Sequence, residues 1–434
     1  MVFSRIFGKT QPSATPADED NEPDEVAPEE VGGELDAPLP DYETRAAAVL
    51  VGGASTGSKR PKALLGPASG GPTHFVRAVG CRLVTTEGDT LVDCTMALGS
   101  VALGYAEPEL TRAVIETIAN GSVSGLSPAL EVHVAERFCG VVPCAEKVQF
   151  LKTGAEAMSA AVRIARTYTG RNVVIGCGYF GWHDWASESA GVPAQTKADR
   201  HTVPFDDVAA LERAVDAAGD TLAAIVIEPV IERLPSTAWI ERARTLSEQR
   251  GAVLIFDELK TGFRLATGGY QQYAGITPDL AAFGKAMANG HPLAAVCGNA
   301  ALMDAAEQTW ISSTLASEAG ALAAAAAVLT WHDKADICAS LWSIGQEMRE
   351  AVTNGIAASG IQGVSVEGID PMWLLKFDTP DRETAFLRGA ASHGVLFKRG
   401  AYNFAAVAHD DDAIQEIESA ASAAFVEMCE QEAR

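Results

Sequence analysis

Two residues in this 434-residue chain are placed to do chemistry together, an acid at the end of one apolar run and a lysine at the end of the next. Ala252 to Phe256 is a short continuous apolar run closed by Asp257, the pattern of a parallel strand buried on both faces. Open α/β sheets bind ligands outside the carboxyl ends of such strands. Leu280 to Phe283 is a second run, followed directly by Gly284-Lys285, where the glycine lets another group approach the backbone closely. An amine and an acid at two strand ends point to covalent chemistry in which lysine condenses with a carbonyl carbon and the acid holds a developing charge.

A lysine Schiff base to pyridoxal phosphate needs such a pair, because the acid keeps the pyridine nitrogen protonated and the ring able to accept electrons. The stretch Asp257-Glu-Leu-Lys-Thr-Gly-Phe-Arg264, read with Gly284-Lys285, resembles the class III pyridoxal-phosphate aminotransferases. The pattern is nearest to the glutamate-1-semialdehyde 2,1-aminomutase subgroup and the sugar-type aminotransferases that share its motifs. The resemblance runs from about Gly52 to the C-terminus. It implies the type I fold, an α/β architecture with a mostly parallel seven-stranded sheet in a large domain and a smaller α/β domain. Residues 1–40 are then an acidic disordered tail, 41–95 an N-terminal segment joining the small domain, 96–330 the large cofactor-binding domain and 331–434 the C-terminal small domain.

The same resemblance assigns roles. Lys285 forms the Schiff base and shuttles the proton, Asp257 meets the pyridine nitrogen, Tyr179 stacks on the ring and Leu259 lies against it. Glu228, of the Glu228-Pro229 motif, stands beside the cofactor. Thr314 matches a threonine that reaches the cofactor phosphate of the neighbouring subunit, implying a homodimer with shared active sites. Ser58 and Lys59 match a segment at the mouth of the site in the sugar-type members. His183, Lys398 and Arg399 are further candidates for contact with substrate, the two cations toward a carboxylate or phosphate. Phe180 stands where the family has a histidine, and the expectation is a reshaped substrate side. Ala401 stands nearest to where the aminomutases have a glutamate that contacts the stacking tyrosine, which disfavours the aminomutase reaction.

These residues need elements to hold them. Val148 to Lys152 reads as a strand and Ala157 to Tyr168 as a helix ended by Gly170; the turn between them, Thr153-Gly154-Ala155, exposes backbone N–H groups at the positive end of a helix, as a phosphate requires. The family has Ser-Gly-Thr at this turn. Gly176-Cys-Gly178-Tyr179-Phe-Gly181 formally matches a dinucleotide fingerprint, but Trp182 to Pro193 carries no apolar stripe for the helix that must follow. A nicotinamide site is therefore rejected.

A net charge of −24 argues against nucleic acid or an anionic membrane surface as partner. The eight cysteines form no Cys-x-x-Cys pair or zinc-spaced cluster, so no metal is expected and the thiols read as reduced in a cytoplasmic protein. The first residues have too short an apolar stretch for a signal peptide, and Ala319 to Leu329 is too short to span a bilayer. The function expected is amino transfer between a small-molecule donor and a keto or aldehyde acceptor, which could be an amino acid, keto acid or sugar derivative. The alternatives are an intramolecular 1,2-aminomutase, a racemase or decarboxylase on the same fold, and a non-catalytic scaffold.

Overall fold

The computed structural model of the chain describes residues 41–67 and 70–432; the acidic tail expected over residues 1–40 lies outside them. After short helices at Tyr42–Val49 and Pro61–Leu65 come three strands, β1 (Phe75–Val79), β2 (Arg82–Thr85) and β3 (Thr90–Asp93), in an antiparallel meander. Seven more follow in chain order: β4 (Lys147–Leu151), β5 (Val173–Cys177), β6 (Arg200–Thr202), β7 (Leu222–Ile227), β8 (Val253–Asp257), β9 (Leu280–Phe283) and β10 (Ala294–Gly298). These seven make one sheet in the order β4-β10-β9-β8-β7-β5-β6. Only β10 runs against its neighbours, so the sheet is mostly parallel.

The central strands are buried at every position because both faces are covered. On one face Val174, Val226, Ile255, Ala282 and Val296 pack under the helix Gly154–Thr169. That helix turns Ala157, Ala160, Ala161 and Ala165 inward, and side chains this small let it sit close on the sheet. On the other face Phe256 and Phe283 join Phe138 and Phe263, with the Phe138 and Phe283 rings edge to face at 5.3 Å. Each such aromatic contact adds about 0.5–1.5 kcal/mol beyond the area it buries.

The remaining strands are β11 (Val364–Ile369), β12 (Met372–Phe377), β13 (Val395–Leu396) and β14 (Asn403–Phe404). β11, β12 and β14 form a three-stranded sheet, whereas β13 pairs in parallel with β3 through Val395–Val92 and Leu396–Asp93. Arg264 ties these parts to the large sheet. It is fully buried and donates to the carbonyls of Gly99 (3.0 Å) and Ala405 (2.8 Å), and burial pushes its guanidinium down to about 10. Through these connections the loop 398–402, which follows β13, arrives at the carboxyl end of β7 and β8.

Candidate active site

A cavity of about 870 Å³ opens at that end of the sheet. Its floor carries Glu228 just past β7, Asp257 at the end of β8 and Lys285 just past β9. The three strands are adjacent, so the three groups stand side by side. Asp257 is buried; Oδ1 accepts the Leu259 N–H at 3.0 Å, and no hydrogen bond among the described residues engages Oδ2. Burial, then the Glu228 carboxylate, pushes Asp257 up to about 7, against the pull of the Leu259 N–H, Lys285 and Lys260. Burial, then the Lys260 ammonium, brings Lys285 down to about 8, against Asp257 and Glu228. The lysine therefore has a substantial neutral fraction near physiological pH, as a nucleophile requires. Its backbone is left-handed (φ 51°), a strained conformation for a side-chain-bearing residue of the kind that persists at functional sites.

The phosphate end of the cavity is built by a helix start. Thr153 caps the helix Gly154–Thr169: its Oγ1 accepts the Glu156 N–H at 3.3 Å, and the Thr153 N–H donates to Glu156 Oε2 at 2.8 Å. This reciprocal box fixes Thr153, which also lines the cavity, while Gly154 and Ala155, in the first turn, have no helical carbonyl to bond. Both residues line the cavity. A Cβ on Gly154 would come within 2.5 Å of Leu259, so glycine is needed for Leu259 to lie across this wall. Buried carboxylate, depressed amine and open helix start form a donor set that fits pyridoxal phosphate.

Tyr179 lines the cavity with Trp182, Leu259 and Tyr402. Its N–H donates to Glu228 Oε2 at 2.9 Å. Phe180 corrects an expectation, because it points the other way: it is buried under the helix Gly154–Thr169, stacked on Trp185 at 5.9 Å. Gly178 and Gly181 both have positive φ, which flips successive side chains to opposite sides of the turn. Phe180 therefore does not shape the substrate side.

His183, Lys398 and Arg399 do not reach the cavity wall. His183 Nδ1 shares a 2.7 Å hydrogen bond with Ser159 Oγ on the covering helix. Lys398 is buried and donates to the Arg399 carbonyl at 2.9 Å. Arg399 donates to Thr384 Oγ1 at 2.8 Å and faces Glu383 at 3.6 Å. Neither cation lines the cavity, and both are hydrogen-bonded within the chain. Ser58 and Lys59, in a short 3-10 turn at Gly57–Lys59, also lie off this wall. Thr314 is exposed and lies off its own chain's cavity.

Several wall residues escaped sequence reasoning, among them Lys260, Tyr402, Ser100, Lys152, Trp182 and His291. Lys260 forms an ion pair with Glu228, and Tyr402 carries the Lys260 ammonium 4.2 Å from its ring centroid. Ser100 is delivered by a run of four left-handed residues, Met96 to Gly99. Lys152 pairs with Glu318 at 3.0 Å. Only Lys260 had a sequence signal, being three residues past Asp257 in the motif.

A lysine and an acid at neighbouring strand ends, facing a helix start across one cavity, define a type I pyridoxal-phosphate enzyme. The family profile described as Aminotransferase class-III matches residues 67–183 and 182–407, and the chain belongs to that family. It is accordingly a pyridoxal-phosphate-dependent aminotransferase. The 2'-deamino-2'-hydroxyneamine transaminase of Streptomyces kanamyceticus is 34% identical over 338 residues, 76% of this chain and 84% of that one. A glutamate-1-semialdehyde 2,1-aminomutase of Neisseria gonorrhoeae is 30% identical over 424 residues, 88% of this chain and 97% of that one. Among solved structures, the PLP-bound form of the FumI protein of Sphingopyxis sp. MTA144 superposes with a TM-score of 0.85 at 26% identity, covering 90% of this chain and 96% of that one.

Proposed function

We propose that the chain moves an amino group between a small-molecule donor and the carbonyl of a neutral, hydroxyl-rich ring substrate, with Lys285 and Asp257 as the reacting pair. The observation that carries the choice of substrate is the charge on the cavity wall. Among the described lining residues, Lys152 and Lys260 are each ion-paired, and Lys398 and Arg399 are turned away. What remains toward substrate is Tyr179, Trp182 and Tyr402 with Ser100 and His291; burial pushes His291 down, so it is neutral at pH 7. Flat aromatic walls with hydroxyl and imidazole partners suit a polyhydroxylated ring. The aminoglycoside transaminase among the relatives supports the same reading.

Bound pyridoxal phosphate supplies an electron-accepting ring conjugated to the carbon that exchanges the amino group. Lys285 Nζ would hold the cofactor and would serve as the base that moves the proton at the amine-bearing carbon. Asp257 would keep the ring nitrogen protonated by charge pairing. Tyr179 and Leu259 offer their faces to the ring, Glu228 fixes the Tyr179 backbone, and the N–H groups of Gly154 and Ala155 take the phosphate behind the Thr153 cap.

The aminomutase relatives favour a second reading. Against it, Ala401 lines the cavity with no carboxylate to engage Tyr179. What the single chain leaves uncovered supports a homodimer. Trp310 (87% exposed) and Leu315 (53%) bracket Thr314 in sequence, and Leu126 (83%) belongs to the neighbouring segment tied on by Ser122. A second copy covering this face would bring Thr314 to the partner's phosphate site. All eight cysteines are unpaired, which supports a reducing, cytoplasmic location; among the described residues no helix is long and apolar enough to cross a membrane.

The test is a panel of acceptors assayed with one fixed donor. Neutral ring ketones or aldehydes should exceed α-keto acids in kcat/KM by at least about tenfold, because no free cation of this wall meets a carboxylate. The opposite ranking refutes the substrate reading, and turnover of an amino aldehyde without any second substrate would establish the aminomutase. Hybrid dimers of Lys285→Ala with Thr314→Val subunits test the shared site: their two sites should differ in cofactor retention.

A further inference from the structure

Glu228 and Asp257 stand at the ends of adjacent strands, each less than a tenth exposed. Two buried carboxylates so placed repel, and the ordinary relief is for one to take up a proton. A protonated Asp257 could not pair with a ring cation. The chain opposes this repulsion three residues beyond Asp257. There Lys260 forms an ion pair with Glu228 Oε1 while Glu228 Oε2 accepts the Tyr179 N–H at 2.9 Å, so both oxygens of Glu228 are engaged by donors other than Asp257's partners. The Lys260 ammonium also lies 4.2 Å from the Tyr402 ring centroid, and Tyr402 Oη accepts the Glu232 N–H at 2.7 Å. One buried cation thus touches the β7 end, the loop after β8 and the C-terminal loop.

The sequence pattern around Asp257 does not demand this. An apolar residue at position 260 would leave the Glu228 carboxylate with the Tyr179 N–H alone. With Lys260 present, the floor holds two acids and two amines, Glu228, Asp257, Lys260 and Lys285, whose charges can sum to zero. We propose that Lys260 is a positioning residue which neutralises Glu228 and thereby keeps Asp257 ionised, Lys285 ready to lose its proton, and Tyr402 fixed on the cavity wall. The proposal rests on Lys285 and Asp257 being the reacting pair.

Other charges around the group are accounted for. Asp257, Glu228, Lys260 and Arg264 act on Lys285, and Arg264 is held by carbonyls behind the floor. Lys152 is paired with Glu318 across the cavity, and His291 is neutral at pH 7. Although burial opposes its charge, Lys260 itself is held above the usual lysine range by Glu228, Tyr402 and Asp257. It is the stable cation of the set.

The experiment is a visible-absorbance pH titration of the full chain loaded with pyridoxal phosphate, comparing Lys260→Met, Glu228→Gln, the double variant and Lys260→Arg. Loss of the Lys260 charge should raise the pH midpoint of the bound cofactor by about one unit. The double variant, which removes one charge of each sign, should return to within about 0.3 unit of the native midpoint, and Lys260→Arg should not move it. A merely structural lysine would weaken folding without this charge rescue. An unchanged midpoint in Lys260→Met, or a double variant as displaced as the single one, overturns the proposal. Should Lys260→Met purify unfolded, Lys260→Gln is read by the same criteria. Failure of the underlying assignment is distinguishable, because the visible band would then persist in Lys285→Ala.

Discussion

Two pairs of cations near strand ends meet different fates in this molecule. Lys260 and Lys285 follow β8 and β9 and both line the cavity floor. Lys398 and Arg399 follow β13, which pairs with the meander strand β3 on a different sheet; there the side chains are absorbed by the Arg399 carbonyl, Thr384 and Glu383. In both places the local sequence puts positive charge after an apolar run. The difference lies in which sheet the strand joins: the parallel strands of the large sheet open onto a shared crevice, whereas β13 ends against a helix that supplies its own acceptors.

The comparison can be broken at four points. Lys285→Ala should lower kcat by at least about 10³-fold, since it removes both the covalent anchor and the base; near-native turnover would remove the floor from the mechanism. Lys285 also carries a stability signature. Its folded value of about 8 lies below its ordinary one, so between roughly pH 8 and 10.5 the unfolded chain binds more protons and stability rises with pH. Below that window the burden is full, so Lys285→Met should raise the melting temperature of the cofactor-free chain at pH 7 by about 2 °C, a gain that vanishes above the window.

Asp257→Asn should cost about 10²–10³-fold in kcat with a smaller change in KM, because its charge is used on the reacting ring. Steady-state kinetics with a saturating donor would show it. Arg399→Gln sharpens the contrast from the other side: kcat/KM should stay within about twofold while the melting temperature falls by about 2 °C, the scale of one partly buried ion pair and hydrogen bond. A large rise in KM for anionic acceptors would return Arg399 to the site. Lys59→Ala should have the smallest effect, under about twofold in KM, unless a second subunit brings the turn at Gly57–Lys59 onto its partner's cavity.

Two glycine turns show how far the sequence could be read. Thr153-Gly154-Ala155 and Gly176 to Gly181 both leave strands of the large sheet, and only the first is followed by a helical apolar pattern; the structure has a sixteen-residue helix after the first and an irregular segment after the second. Periodicity over a dozen residues separated them. Nothing comparable separates Tyr179 from Phe180, since in an irregular turn the side to which each residue points depends on local φ. The Ser159 hydroxyl that occupies His183 and the carboxylate facing Arg399 are likewise distant partners that a linear pattern does not announce.

The sequence alone determined the strands that carry the acid and the lysine, the helix after Thr153-Gly154-Ala155 and the order in which they come. These follow from continuous apolar runs, a helical repeat and residues immediately adjacent to strand ends, all local properties of the chain. Tertiary structure alone decided which charges remain available. Lys260 meets Glu228 from 32 positions away, Tyr402 crosses from the C-terminal loop and Arg399 turns to Glu383. Ion pairing is settled by distance in space and by shared burial, and neither is written in the spacing of residues along the chain.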